Sequence, residues 1–392
     1  MSQTLAEFYK NMPRLGHGSL AMMVDKYSAK DIPLFFHGRM GIGKSEGVKA
    51  WAIAKAKSLG LNFLDLTLSK DEAGNEVSIE GYNPKKTFIF MVLNLQMFEG
   101  VELKGIPAVI DGETRFLPTN LFPTTGHGVI FLDEVNLAMR DVLNNLYSLL
   151  LNKVIGMKKM SKDIYLIAAG NRDDDGAYTV DLPGPLKDRM AHYELVLGDE
   201  LGDNVGMTWV KNFAMHNNID ERIVSYILFN DHYLHTYNAD NDNIVFATPR
   251  SWTMLSQMIE GETDTHLIKM MASSLIGNDI AAEFMAFLSI RDAFDVEAMF
   301  KKPEDAVIPI EPDKRHALMS GIVSYYKNNY ESNVTLVTNQ LVKLCQNFDK
   351  EYELIMYQLI KMIDKRIFTI LQNALPKDTF EELFNSMINM NS

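Results

Sequence analysis

Pro33-Leu34-Phe35-Phe36-His37-Gly38-Arg39-Met40-Gly41-Ile42-Gly43-Lys44-Ser45 is the stretch on which the fold turns. Its first half is a short apolar run, suited to a strand buried on both faces of a parallel sheet. The run stops at a glycine loop, Gly38–Ser45, that matches G-x-x-x-x-G-K-[ST] in full. Glycines let the backbone turn tightly, so that its N–H groups converge on phosphate oxygens. Lys44–Leu59 is rich in alanine and lysine and helical in pattern, and the positive end of that helix adds to the same spot. In such a loop Gly38, Arg39, Met40, Gly41, Ile42 and Gly43 wrap the phosphates of ATP. Lys44 reaches the β- and γ-phosphates, and the Ser45 hydroxyl ligates Mg²⁺. The bland alternative is a glycine turn that happens to precede Lys-Ser. A buried strand before the loop and a helix after it favour the phosphate-binding reading.

Working outward, Gly128-Val129-Ile130-Phe131-Leu132-Asp133 reads as a second buried strand, and it ends in two acids, Asp133 and Glu134. This is the Walker B form. Asp133 is placed to hold Mg²⁺ through water, and Glu134 to orient and deprotonate an attacking water as general base. Open α/β sheets bind ligands at the carboxyl ends of their strands, and both motifs stand at such ends. Asn62–Leu66, Asp163–Ala169 and His192–Val196 are further strand candidates, with a helix over about Ala138–Leu151. Residues 69–127 read as irregular, punctuated by glycine and proline with scattered aromatics. Strands interleaved with helices imply a parallel sheet covered on both faces.

After about residue 197 the strand signals fade. Residues 205–295 read as helical, 302–312 as an extended connector bearing Pro303, Pro309 and Pro312, and 313–390 as helical again. The expected organisation is an α/β nucleotide-binding core over 1–197, an all-α lid over 198–300 and a C-terminal helical extension over 301–392.

Composition narrows the class. The chain has 392 residues, enough for two or three domains, and 47% hydrophobic content with 23% charged is that of a globular protein. No apolar run approaches a membrane span, and the start Met1–Glu7 lacks the basic and apolar regions of a secretory signal. One thiol, Cys345, makes neither an internal disulfide nor a cysteine metal cluster. It reads as a small buried residue of a helix, and a cytoplasmic location is expected. The net charge of −13 argues against a protein that grips phosphate backbones, so nucleic acid is not the expected partner. The 24 methionines read as core packing ahead of adaptable contact surface.

The order of motifs resembles an AAA+ ATPase, and more narrowly the MoxR group. Ala168-Ala169-Gly170-Asn171-Arg172 resembles the sensor-1 segment, which implies that Asn171 sits between the two motif strands and contacts the γ-phosphate or the attacking water. Leu182–Met190 is similar to the stretch that ends in Asp-Arg-Phe in that group, with Met190 in the place of phenylalanine; Arg189 is then the finger for a neighbour's ATP. Ala247-Thr248-Pro249-Arg250-Ser251-Trp252 resembles the sensor-2 signature, with Arg250 toward the γ-phosphate. Val101–Pro107 with Gly126-His127-Gly128 is similar to an insertion that faces a ring's central pore in relatives. The resemblance covers about residues 20 to 260.

Each of these residues also has a bland reading. Asn171 suits the cap of a turn. Arg172 pairs with the run Asp173–Asp175 or touches ATP. Arg189 forms a surface ion pair with Asp188. Thr248 and Pro249 cap and start a helix, which is compatible with a sensor role for Arg250. The resemblance implies Mg-dependent ATP hydrolysis in a homo-oligomeric ring, typically a hexamer. It also implies chaperone-like work on a protein partner, often one with a von Willebrand factor A domain. A nucleic-acid motor or loader is the alternative that the same fold hosts.

Overall fold

The computed structural model describes residues 12–68, 78, 81–117, 122–172, 182–239, 243–363 and 367–381. The start Met1–Glu7 and the run Asp173–Asp175 lie outside the described residues. The chain divides into two compact units: residues 1–203 with 238–242, and residues 204–237 with 243–392. Helices on both sides of residue 300 therefore share one unit, where the sequence pattern separates a lid from an extension.

The strands of the first unit are β1 (Arg14–Gly16), β2 (Leu34–His37), β3 (Asn62–Asp65), β4 (Thr87–Asn94), β5 (Ile106–Ile110), β6 (Glu113–Leu117), β7 (His127–Asp133), β8 (Val154–Ile155), β9 (Lys158–Lys159), β10 (Ile164–Gly170) and β11 (Ala191–Val196). Among the described residues seven of them form one sheet in the order β1-β11-β2-β10-β7-β4-β3. Every pair in it is parallel. Two antiparallel hairpins, β5–β6 and β8–β9, stand apart from it.

Near-continuous apolar runs are what a sheet buried on both faces requires. Alternate residues of each run go to opposite cores. Phe35, Ile130, Leu132, Leu166 and Ala168 pack with Val142, Leu146 and Leu149 of the helix Arg140–Asn152. Phe36, Val129, Phe131, Ile167 and Ala169 pack with Leu20 and Val24 of the helix His17–Ser28, and with Val48 and Trp51 of the helix Lys44–Ser58.

One expectation fails in the stretch 69–127. It contains β4, an eight-residue strand that lies between β7 and β3, the helix Gly100–Lys104, and the hairpin β5–β6. Thr87-Phe88-Ile89-Phe90-Met91-Val92-Leu93-Asn94 is buried over its first five residues and so shows no alternation of apolar and polar types. Asp111 and Gly112, at φ 54° and 79°, close the hairpin as an Asp-Gly turn, whose hand matches the twist of its strands.

The second unit is helical throughout its described regular structure, apart from short 3₁₀ turns. Its centre holds Tyr226, Trp252 and Phe284, all fully buried, with ring centroids 5.3 to 5.8 Å apart. Arg222 grips Asp220 with two bonds of 2.8 and 2.7 Å and donates to the carbonyls of Ile259 and Glu262, tying helix Glu221–Phe229 to the turn after Pro249–Met258. The connector carries a single 3₁₀ turn at Pro303–Asp305, and the next helix begins at Pro312, where a proline lacks only an N–H that the first turn leaves unused. Cys345 is buried in the helix Val334–Cys345, against Met356. Among the described residues no helix is long and apolar enough to cross a membrane.

Candidate active site

The loop Gly38–Ser45 leaves β2 and enters the helix Lys44–Ser58. Gly41 and Gly43 sit at φ 72° and 89°, a left-handed conformation that a side chain would strain. Gly43 is the N-cap and brings no side-chain oxygen to the first turn, so the helix presents its N–H groups to the loop. The Lys44 ammonium, on a residue 8% exposed, folds back to donate to the Gly38 carbonyl at 2.8 Å and the Arg39 carbonyl at 3.2 Å. A buried cation beside an uncapped helix start suits an anionic phosphate chain.

The same ammonium donates to Asn171 Oδ1 at 3.0 Å. Asn171 follows β10, which lies between β2 and β7. Its other amide atom, Nδ2, donates to Glu134 Oε2 at 2.6 Å. One side-chain amide thus bridges the loop lysine and the second acid of the β7 motif. Asp133 ends β7, opposite Asn94 of β4, and its Oδ1 accepts the Glu134 N–H at 3.0 Å. Glu134 stands at φ 54° and ψ 38°, a turn that bends the chain sharply after the strand. Ser45 carries a hydroxyl and Asp133 a carboxylate, oxygen types that could hold a hard cation such as Mg²⁺.

Asn136 is a site residue that motif reading missed. It is 6% exposed, donates from Nδ2 to the Asn171 carbonyl at 2.7 Å and accepts the Asn171 N–H at Oδ1 at 3.1 Å. Both backbone groups of Asn171 are thereby held by one side chain. Gly170 makes room for it: a Cβ there would lie 2.5 Å from Asn136 Oδ1. Three residues after Asp133, Asn136 carries no sequence mark that distinguishes it from a turn residue.

Arg172 donates to Glu194 Oε1 at 2.7 Å, and Arg14 reaches Glu194 Oε2 at 3.3 Å. Glu194 belongs to β11 and is 3% exposed, so a buried carboxylate anchors the chain just after Asn171. Arg189 follows the short helix Gly184–Lys187. It donates to the Pro185 carbonyl and lies over the Tyr147 ring, 5.4 Å from its centroid; among the described residues this replaces the ion pair with Asp188. Arg250, in the second unit, is exposed in the first turn of the helix Pro249–Met258. Thr248 and Ser251 cap that helix reciprocally, at 3.1 and 2.8 Å.

His37, the last residue of β2, meets His192 of β11 at 3.0 Å, and both rings pack near Phe35. Burial, followed by the neighbouring His192, Lys187 and Lys44, holds His37 down at about 3. Burial also lowers His192, although its bond to the Lys187 carbonyl works the other way. Both rings are neutral near pH 7.

No family model matches the chain, and no curated protein does. Among solved structures it is similar to NtrX from Brucella abortus, at 12% identity over 88% of this chain and 67% of that one, with a TM-score of 0.35. NtrX in complex with ADP is similar at 14% identity over 81% and 63%, with a TM-score of 0.35. A mutant of RuvB from Thermotoga maritima is similar at 16% identity over 73% and 74%, with a TM-score of 0.31. The chain spans about two thirds of the length of the NtrX chains.

Proposed function

We propose that this chain is a magnesium-dependent ATPase of the AAA+ class, of MoxR type, which works as a ring and remodels or activates a protein partner. The observation that carries the reading is the Asn171 amide held between Lys44 and Glu134. Lys44 follows the loop after β2, Glu134 directly follows β7 and Asn171 directly follows β10, so the three meet at the carboxyl ends of adjacent parallel strands, where open α/β sheets bind ligands.

The reaction is attack of water on the γ-phosphoryl group, giving ADP and phosphate. Lys44 and the loop N–H groups hold the phosphates. Glu134 accepts a proton from the attacking water, and Asn171, already bonded to Glu134, orients that water. Ser45 and Asp133 would hold Mg²⁺, which would supply positive charge against the phosphate chain. Arg250 is assigned to the γ-phosphate within the subunit. Arg189 is assigned to the neighbour's ATP, so that a lone subunit turns over slowly; an arginine finger is worth about 10³-fold or more. Head-to-tail contacts that close by rotation give the ring.

The test is phosphate release by the purified protein with ATP, with and without Mg²⁺, alongside Glu134→Gln. Turnover that needs Mg²⁺ and is lost in Glu134→Gln supports the reading; Glu134→Gln turning over like wild type removes Glu134 from the mechanism. Turnover stimulated by DNA, with binding that weakens steeply as salt rises, would replace protein remodelling by nucleic-acid work.

A further inference from the structure

His37 and His192 join the phosphate loop to the Arg189 turn. His37 precedes Gly38, whose carbonyl accepts from Lys44. His37 Nε2 lies 3.0 Å from His192 Nδ1, and His192 Nε2 lies 2.8 Å from the Lys187 carbonyl oxygen. A carbonyl only accepts, so His192 Nε2 carries the ring proton. In the neutral ring His192 Nδ1 is then an acceptor, and His37 Nε2 donates to it. The bonds run in one direction, from the loop strand to the last residue of the helix Gly184–Lys187.

That carbonyl has a second donor. Met190 N–H reaches it at 3.3 Å, closing the turn that carries Arg189. The link is also stiff. His192 is in register with Phe35, His37 lies two residues further along the same face of β2, and the Phe35 ring is 4.3 Å from that of His37 and 5.4 Å from that of His192. Close-packed interiors pass on displacement rather than absorb it.

We propose that the His37–His192 pair is a positioning link between the phosphate loop and the Arg189 turn, so that phosphate held in one subunit's loop sets the arginine presented to the next subunit. The link rests on the ring-ATPase reading above. His37 and His192 are positioning residues, acting through the loop and through Arg189.

The full chain is assayed for ATP turnover and for binding of a fluorescent ATP analogue, as wild type, His192→Phe, His192→Gln, Arg189→Ala and the double variant His192→Phe/Arg189→Ala. His192→Phe keeps the ring and removes both bonds; it is expected to bind the analogue within about twofold of wild type while kcat falls about tenfold and the ATP dependence loses cooperativity. His192→Gln keeps an acceptor and a donor and is expected to regain most of the turnover. The double variant is expected to lose no more than Arg189→Ala alone, because residues on one route are not additive. Additive losses, or His192→Phe and His192→Gln behaving alike, overturn the link and leave the ATPase standing. A wild type without ATP turnover brings down both readings. Should His192→Phe fail to fold, His37→Phe breaks the same bond from the loop side and enters the same comparison.

Discussion

Asn171 Nδ2 donates to Glu134 Oε2 at 2.6 Å, although 37 residues separate the two along the chain. The same amide accepts from Lys44 at its other end, so the acid and the ammonium are aligned through one neutral group.

Asn171→Ala removes both bonds. Turnover is expected to fall about 10²- to 10³-fold, the loss seen when one oriented polar group is deleted from an active site. Binding of a fluorescent ATP analogue is expected to stay within about threefold, since the loop and Lys44 remain. Steady-state kinetics beside an equilibrium titration separate the two; a variant that loses binding and turnover in equal measure contradicts the orienting role.

Asn136→Leu keeps the approximate bulk of the side chain and deprives the Asn171 N–H and carbonyl of their partners. Buried polar groups left unsatisfied cost about 1–3 kcal/mol each. The urea midpoint is expected to drop accordingly, and turnover to fall with it, because Asn171 is no longer held. Gly170→Ala acts on the same contact by crowding Asn136 Oδ1, with a cost of about 1–3 kcal/mol for overpacking. A Gly170→Ala protein as stable and active as wild type would show that this contact yields.

Glu194→Leu removes the buried carboxylate that faces Arg172 and Arg14. Breaking a buried pair from one side costs about 3–5 kcal/mol, and the half-exposed Arg14 contributes the smaller part. Differential denaturation of Glu194→Leu against Arg14→Ala measures the split. Equal losses in the two variants would place the weight on β1 rather than on Arg172.

Acid is expected to weaken the fold through its buried imidazoles. In the unfolded chain His37 takes up a proton below about pH 6.5, whereas in the folded chain it does so only near 3. His316 is held down to about 4 by burial and by Arg315. The stability that goes with these neutral rings is whole above pH 6.5 and drains as the pH falls through the window toward 4 and 3. Each proton contributes a slope of about 1.4 kcal/mol per pH unit. Urea midpoints measured between about pH 7.5 and pH 5 are expected to decline, and His316→Phe to flatten that decline; a flat wild-type profile would contradict neutral burial.

Much of the site is legible in short stretches of chain. An apolar run, glycines that demand positive φ and a following helix mark Gly38–Ser45, because backbone sterics are local. Val129–Glu134 is legible for the same reason: four buried apolar residues lead into two acids. Asn136, Glu194 and His192 are not legible, since each looks like an ordinary turn or strand residue until its partner is known. The β4 run Phe88–Leu93 is as continuously apolar as Val129–Leu132, but no phosphate loop or acidic pair follows it, and the glycines and prolines around it make its stretch read as irregular.

The sequence by itself determined the loop, the acidic strand end, the interleaved strands and helices, and the change to helix after about residue 197. These follow from periodicity, glycine and proline, which act over a few residues. Only the tertiary structure decided which strands are neighbours. By setting β10 between β2 and β7 it carried Asn171 across 127 residues to Lys44, and by setting β11 beside β2 it joined His192 to His37. Strand order is chosen by packing both faces of the whole sheet at once, and no local stretch of sequence holds that information.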